Sequence, residues 1–327
     1  MKRLPLSILC ATILFFGLNL LLPATSSWAQ FPNRNINLSV GFSAGGIVDM
    51  STRALAEPAS KKLGQPIVVL NKVGGGGSVC LVSLKGEKPD GYSLSTLSRG
   101  GILNTLMRKM PYDVVQDFTP IMTFSDSYGG VVVKSDSRWK TFKELIDYAK
   151  SNPGKIRFGT AGVGLTHHLA MERLALQERI KWTHIPFKGA TQVIPGVLGG
   201  HVEVAATSPD FVPHVKSGRL RLLSTYSPTH LPGFPDAPTW LELGYNISVR
   251  VVTSIVGPKG LPGPVVDKLH GAFKNGSEDP NFKKIMQNYG AEVYYLGPEE
   301  TGKDIIDFRD QWGKVIKQIG LKMEKPE

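Results

Sequence analysis

The sequence has few cysteines and no cluster of charge. Of its 2 cysteines, Cys10 lies in the apolar N-terminal segment, so Cys80 has no partner in the rest of the chain. We expect no internal disulfide, because a chain of 327 residues can bury a sufficient core without one. The formal net charge is +11, but the basic residues are scattered rather than gathered in runs. This pattern excludes a typical nucleic-acid partner and favours weak attraction of anions.

Long apolar runs are absent except near the N-terminus. Lys2 and Arg3 precede an apolar segment from Leu6 to Leu22, and small residues up to Ala29 form a cleavage motif. The segment is short for a membrane span. We therefore predict that residues 1–29 are a signal peptide, cleaved after Ala29, and that the protein is exported to the periplasm.

Strand-like and helix-like stretches alternate along the rest of the chain. "INLSVGF", "PIVVLN" and "YSLSTLS" are typical of strands. "TFKELIDYAKSNPG" begins with a capping box formed by Thr141 and Glu144, which is typical of a helix start. This alternation predicts an α/β fold with mainly parallel sheets.

The stretch "VGFSAGGIVDM" has the G-x-S-x-G spacing of a hydrolase nucleophile elbow around Ser43. In a hydrolase, an earlier strand and its loop help to build the oxyanion hole, but only Gln30 to Val40 precede this turn after cleavage. The 7 histidines of the chain show no recognisable triad context. We expect no enzyme activity, and an exported serine hydrolase that uses Ser43 remains the alternative.

The same turn is suited to binding an anion. Gly41, Gly45 and Gly46 let the main chain turn tightly and approach a ligand. The amides at the start of the next helix carry about half a positive charge and can hold a carboxylate without a cationic side chain. Asp49 is expected to cap this helix start, or else to orient a water or a ligand.

A second stretch, "FGTAGVGLTHHLA", repeats the order of strand, glycine-rich turn and helix. Its hydroxyls and glycines, among them Thr160 and Gly164, give a ligand access to the main chain. Two such loops in one chain predict the opposing walls of a cleft. His167 and His168 look like a metal pair, but adjacent helix residues point in different directions. We therefore expect no metal and no cofactor, and expect one of the two to pack within its own lobe.

Two further motifs lie between these loops. "NKVGGGGS" lacks the ending of a P-loop and the spacing of a dinucleotide fingerprint, so we expect a flexible structural turn beside the cleft. Arg99 follows a strand end in "TLSRGG". Its guanidinium is a candidate for a forked contact with a distal carboxylate, and an ordinary surface arginine is the alternative.

These stretches together resemble the Bug family, the periplasmic substrate-binding proteins of tripartite tricarboxylate transporters. "FPNRNINLSVGFSAGGIVD", "ELIDYAKSNPGKIRFGTAGVGLTHHLA" and "HIPFKGATQVIPGVLGGHVE" carry the likeness, which covers nearly all of the chain after the leader. The resemblance implies a flytrap of two α/β lobes joined by crossing strands. Residues 30–128 and 251–327 would form the first lobe, and residues 129–250 the second.

The resemblance also implies a site and partners. Family proteins hold a ligand carboxylate between two loops that map onto Phe42 to Asp49 and Thr160 to His167. The expected partners are a small organic carboxylate and the permease subunits of a tripartite transporter, with the protein a monomer; an orphan receptor that serves a signalling protein is the alternative. The expected ligand-binding residues are Phe42, Ser43, Ala44, Gly45, Gly46, Asp49, Ser98, Arg99, Thr160, Ala161, Gly162, Val163, Gly164, Thr166, His167, Ser208 and Asp210.

The chain departs from the family pattern inside both loops. Ile47 and Val48 stand where many members carry hydroxyl residues, and Leu165 stands where serine or threonine is common. Aliphatic side chains remove hydrogen-bond donors and add apolar surface. We therefore expect a ligand with a carboxylate head and a less polar body, aromatic or aliphatic, rather than citrate or an amino acid.

Overall fold

The computed structural model describes residues 31–319, so the predicted leader and its cleavage site lie outside the described residues. None of the described helices is long and apolar enough to cross a membrane. The strands are β1 (Ile36–Val40), β2 (Ile67–Asn71), β3 (Ser93–Ser98), β4 (Phe118–Tyr128), β5 (Gly130–Lys134), β6 (Arg157–Thr160), β7 (Thr183–Pro186), β8 (Val204–Thr207), β9 (Leu220–Thr225), β10 (Arg250–Pro258) and β11 (Glu292–Leu296). The α-helices are α1 (Ile47–Leu63), α2 (Ser78–Lys85), α3 (Arg99–Met107), α4 (Phe142–Ser151), α5 (Thr166–Glu178), α6 (Ala190–Leu198), α7 (Val212–Lys216), α8 (Gly263–Ser277), α9 (Pro280–Asn288) and α10 (Pro298–Ile319).

The strands form two sheets, one in each lobe. The first sheet has six strands in the order β11-β4-β10-β3-β1-β2, and the second has five in the order β7-β6-β8-β5-β9. The first sheet takes its strands from both ends of the described chain, and the second takes them from the middle. This is the two-lobed α/β flytrap fold that the sequence predicts.

The sheets are mixed, which corrects the expectation that they are mainly parallel. β1 pairs in parallel with β2 and β3, and β6 pairs in parallel with β7 and β8. Every antiparallel pairing among the described strands involves β4, β5 or β10. A β–α–β crossover connects two parallel strands of one sheet. β4, β5 and β10 instead carry the chain from one lobe to the other, so no such crossover imposes parallel pairing on them.

The two crossings lie side by side. β4 continues into β5 through Gly129, and the chain returns in β10, where Arg250 pairs with Tyr128. The guanidinium of Arg250 also forms an ion pair with Asp126, whose side chain is buried. A connection this narrow, between two large lobes, is the arrangement that permits hinge closure around a ligand.

Each lobe has its own apolar core. In the first lobe, α1 and α8 bury Leu55 and Phe273 against the sheet. In the second, Phe158 on β6 and Trp240 are fully buried in a separate cluster. These cores fix the carboxyl ends of the parallel strands, and the turns that follow those ends face each other across the cleft.

Candidate ligand-binding site

A cavity lies between the lobes, beyond the carboxyl ends of the parallel strands, where open α/β sheets bind ligands. Its volume, counted as the space open to the centres of water molecules, is about 60 Å³. A cavity of this volume holds about four to six waters. The predicted residues that line it are Phe42, Ser43, Gly46, Ser98, Arg99, Ala161, Thr166, His167, Ser208 and Asp210. Both predicted loops therefore contribute to the lining of one cavity.

Seven lining residues are outside the predicted set. They are Ile47, Val48, Gly100, Leu165, Ala190, Thr191 and Val251. Ala190 and Thr191 begin α6 after β7 and Gly189, so a third strand–glycine–helix pattern was present in the sequence as a signal. Val251 lies on the returning strand β10, and nothing in its local sequence indicates a cavity.

The remaining predicted residues support the loops or face elsewhere. Ala44 and Gly45 line an adjoining groove at the mouth of the cleft. Asp49 and Thr160 are buried behind the first and second loops. Val163 is 44% exposed. Gly162 and Gly164 belong to the second loop without lining the cavity, and both have positive φ angles, of 152° and 74°.

Four α-helices begin at the cavity, and none has a side-chain cap from its own N-cap residue. These are α1, α3, α5 and α6, whose N-cap residues are Gly46, Ser98, Leu165 and Gly189. Away from the cavity, α4 and α9 are capped by Thr141 and Asp279, whereas α2, α7 and α8 also lack a side-chain cap. The first amides of a helix have no partner within the helix and carry the positive end of its dipole. Their convergence favours a bound anion.

The first loop is held from behind by Asp49. One carboxylate oxygen accepts a hydrogen bond from the Gly45 amide at 3.0 Å, and the other accepts from Arg53 at 3.0 Å and from Asn71 at 2.8 Å. Burial raises the pKa of Asp49, but these hydrogen bonds outweigh it and leave the pKa below its usual value. The carboxylate is therefore ionised and fixes the turn that presents Ser43 and Gly46.

The second loop is held by two neutral histidines. His168 Nδ1 accepts a hydrogen bond from the Gly164 amide at 3.1 Å, and His184 Nε2 lies 2.7 Å from the Thr160 hydroxyl. The two imidazole rings stack with their centroids 4.0 Å apart. Burial lowers the pKa of His168 to about 4. Burial and the neighbouring His168 lower the pKa of His184 to about 3. The expectation that one of the paired histidines packs within its own lobe is confirmed for His168.

Asp210 links the two lobes across the cavity. Its Oδ1 accepts a hydrogen bond from the Ile47 amide at 3.0 Å, and its Oδ2 accepts one from the Ser208 hydroxyl at 2.8 Å. A carboxylate of the second lobe thus caps the first turn of α1 in the first lobe. Burial raises the pKa of Asp210 in spite of these hydrogen bonds.

Arg99 lines the cavity, but its guanidinium has another partner. It forms a salt bridge with Asp304 at 2.8 Å and lies over the ring of Phe308, 4.1 Å from the ring centroid. Both partners are on α10. A forked contact between this guanidinium and a ligand, as the sequence suggested, would require it to give up part of its contact with Asp304.

The chemistry of a hydrolase or a metal centre is not assembled here. Among residues 31–319, no histidine is hydrogen-bonded to the Ser43 hydroxyl. The cavity histidine, His167, stacks on Tyr226 with ring centroids 5.5 Å apart. Burial lowers the pKa of His167 to about 4, so the ring is neutral. The same part of the chain contains no group of three or more metal-ligating side chains.

Comparison with known proteins identifies the fold with a receptor family. The family model described as "Tripartite tricarboxylate transporter family receptor" matches residues 51–321. A Cupriavidus necator protein named "UPF0065 protein in gbd 5'region" is 37% identical over 92% of this chain and 92% of that protein.

Two solved structures agree with that match. The periplasmic binding protein BugD is 32% identical, with a TM-score of 0.85 over 90% of this chain and 100% of that chain. An R. palustris protein solved with adipate is 25% identical, with a TM-score of 0.84 over 89% of this chain and 98% of that chain. The chain therefore belongs to the tripartite tricarboxylate transporter receptor family and is a periplasmic solute-binding receptor of the Bug type rather than an enzyme.

Proposed function

We propose that this receptor captures a small organic carboxylate in the interlobe cavity and delivers it to the permease subunits of a tripartite transporter. The observation that carries the proposal is the convergence on one cavity of four helix N-termini whose own N-cap residues provide no side-chain cap. The guanidinium that reaches this region, that of Arg99, is engaged by Asp304. Main-chain amides and the hydroxyls of Ser43 and Thr166 are then the donors for the anion.

The body of the ligand is less polar than its head. Ile47, Val48, Leu165 and Val251 give the cavity aliphatic walls, and such walls offer no partner to extra hydroxyl or ammonium groups. The R. palustris relative solved with adipate, an acid with an aliphatic body, supports this choice. We therefore rank adipate and benzoate above citrate and amino acids.

The proposal also includes the boundaries of the two lobes and the export of the protein. Lobe 1 comprises residues 30–128 and 251–327, and lobe 2 comprises residues 129–250; the strand membership of the two sheets supports these boundaries. The leader is cleaved after Ala29, and the mature receptor acts as a monomer. Closing of the lobes sequesters the acid and presents a joint surface to the permease.

A ligand screen with one blocked variant tests the proposal. Adipate, benzoate, malate and citrate are compared by isothermal titration calorimetry. Ala190→Asp places a carboxylate in the first turn of α6, in the cavity, and should abolish binding. Lys143→Asp places the same charge in the first turn of α4, where the side chain is 80% exposed, and should leave binding unchanged.

Two results of this screen would reject the proposal. One is that none of the four acids binds to the wild-type protein. The other is that Ala190→Asp binds an acid as tightly as Lys143→Asp, since the acid would then lie outside the cavity. A preference for citrate over adipate and benzoate would leave carboxylate capture in place but would contradict the less polar body.

A further inference from the structure

The glycine-rich turn Gly74–Gly77 belongs to the first lobe and receives a side chain from the second. A Cβ atom built on Gly76 would overlap Leu165 Cδ2, and one built on Gly100 would lie 3.0 Å from the same atom. The isobutyl group of Leu165 therefore rests directly on the main chain of two glycines. Any other residue at Gly76 would push this leucine away.

The turn is pinned in place rather than flexible, which corrects the expectation drawn from the sequence. The buried side chain of Asn104 donates hydrogen bonds to the Gly75 carbonyl and to the Ser78 hydroxyl. The Ser98 hydroxyl donates to the Gly76 carbonyl at 3.3 Å. The two glycine carbonyls are thus fixed by groups of the first lobe alone, so the surface that meets Leu165 exists before the lobes approach.

Leu165 belongs to an apolar seam between the lobes. It is only 6% exposed, whereas Leu176, at the other end of α5, is 58% exposed. One turn after Leu165, Leu169 is fully buried in a cluster with Leu103 and Phe308 of the first lobe. Parting of the lobes would return this apolar surface to water, at a cost roughly proportional to its area.

We propose that Gly76 and Gly100 form a socket for Leu165, and that docking of Leu165 in this socket stabilises the closed receptor and sets which ligands permit closure. Leu165 is also a wall of the cavity. An acid whose body pushes this side chain out of the socket opposes closure, so the leucine couples the shape of the ligand to the state of the lobes. This coupling rests on the proposed function, but the socket itself does not.

A pair of neighbouring glycines provides matched variants. Gly75 and Gly76 have φ angles of 55° and 61°, so alanine brings similar backbone strain at both positions. The added Cβ meets Leu165 at Gly76 but meets Ser78 of the same lobe at Gly75. Gly76→Ala should therefore obstruct closure, and Gly75→Ala should reproduce its effect on thermal stability without that obstruction.

Lobe separation is measured by single-molecule fluorescence energy transfer, without ligand and with adipate. Lys61→Cys and Lys143→Cys carry the dyes because both lysine side chains are exposed, at 75% and 80%, and the natural thiol of Cys80 is buried. Gly76→Ala and Leu165→Ala should each lower the ratio of closed to open molecules about tenfold. The double variant should recover most of the loss seen in Gly76→Ala, since the new methyl group then occupies the space of the removed leucine.

The double variant decides the outcome. Recovery of closure in Gly76→Ala/Leu165→Ala supports the socket, while additive losses overturn it. Unchanged closure in Leu165→Ala also overturns it, and this variant does not depend on the strained glycine. If adipate fails to bind to the wild-type protein, the ligand-free measurement still decides the socket, and the failure counts against the proposed ligand alone.

Discussion

The two loops that face the cavity have the same order of strand, turn and helix, but the first is held by a charged side chain and the second by neutral ones. Both run from a parallel strand through a glycine turn into a helix whose N-cap residue provides no side-chain cap. Behind the first loop lies an ionised carboxylate, Asp49, which is bound to Arg53 and Asn71. Behind the second lie two stacked neutral imidazoles, His168 and His184. The first loop is held by charge, and the second is held only while its histidines remain uncharged.

The difference extends across the cleft. The first turn of α1 is capped by Asp210 of the opposite lobe, whereas Leu165 at the start of α5 makes an apolar contact with the opposite lobe. The N-termini of α1 and α5 therefore differ in the positive potential that they present to a ligand, because only the first is capped by a side chain of the opposite lobe. We expect the second loop to be the more sensitive to acid and the first to be the more sensitive to loss of a charge.

Acidification gives the largest expected effect. The pKa of His168 is about 4, against 6.5 for a free histidine, so the native state resists protonation that the unfolded chain accepts. Stability is therefore present above pH 6.5 and falls as the pH drops towards 4, by about 3 kcal/mol from this residue. Thermal unfolding measured between pH 7 and pH 4 should show this slope.

Two histidine variants isolate that contribution. His168→Asn keeps an acceptor for the Gly164 amide but removes the titrating ring. It should therefore reduce the slope by the contribution of His168, while His167 and His184, whose pKa values are also lowered, still contribute. His201→Asn, at an exposed position, should leave it unchanged. Equal slopes in the wild-type protein and His168→Asn would show that the second loop is not supported by a neutral histidine.

Removal of Asp49 is the next largest expected effect and concerns the first loop. Asp49→Ala leaves the Gly45 amide without its acceptor and removes one of the two acceptors of the Asn71 side-chain amide, which should lower the free energy of unfolding by about 2 kcal/mol. Arg53→Met is the matched control. The Arg53 side chain is 44% exposed, so its loss should cost less than half as much. Urea unfolding at pH 7 compares the two, and an equal cost would contradict the central role of the carboxylate.

Substitutions of Asp210 should give the smallest effect and separate its charge from its hydrogen bond. Asp210→Ala removes the acceptor for the Ile47 amide and should weaken adipate binding about tenfold. Asp210→Asn keeps an acceptor for the Ile47 amide and cannot carry a negative charge, so it should bind adipate at least as tightly as the wild-type protein. Calorimetric titration at pH 7 provides the comparison. If Asn weakens binding as much as Ala, the cross-lobe hydrogen bond is not what Asp210 contributes.

The sequence predicted the fold through local patterns. The alternation of strands and helices and the Thr141 cap could be predicted because each depends on neighbours in the chain. Strand direction was not readable at the crossings. The sequences of β4 and β10 indicate buried strands, but the same pattern fits a parallel or an antiparallel strand. Their pairing also joins residues more than a hundred positions apart, such as Tyr128 and Arg250.

The candidate site was predictable to the same extent. The glycine turns that precede α1 and α5 lie where the pattern places them, at the cavity. The partners from the opposite lobe were not predictable, because a contact such as that between Asp210 and Ile47 exists only when the lobes meet. The role of "GGGG" was missed for the same reason, since its contact with Leu165 lies in the other half of the molecule.

A crystal structure of the receptor grown with adipate tests the central claim most directly. The account predicts one carboxylate in the interlobe cavity, with its oxygens about 2.7–3.2 Å from amide nitrogens in the first turns of at least two of α1, α3, α5 and α6. A carboxylate bound outside this cavity, or held there by a lysine or arginine side chain with those amides unused, would contradict it.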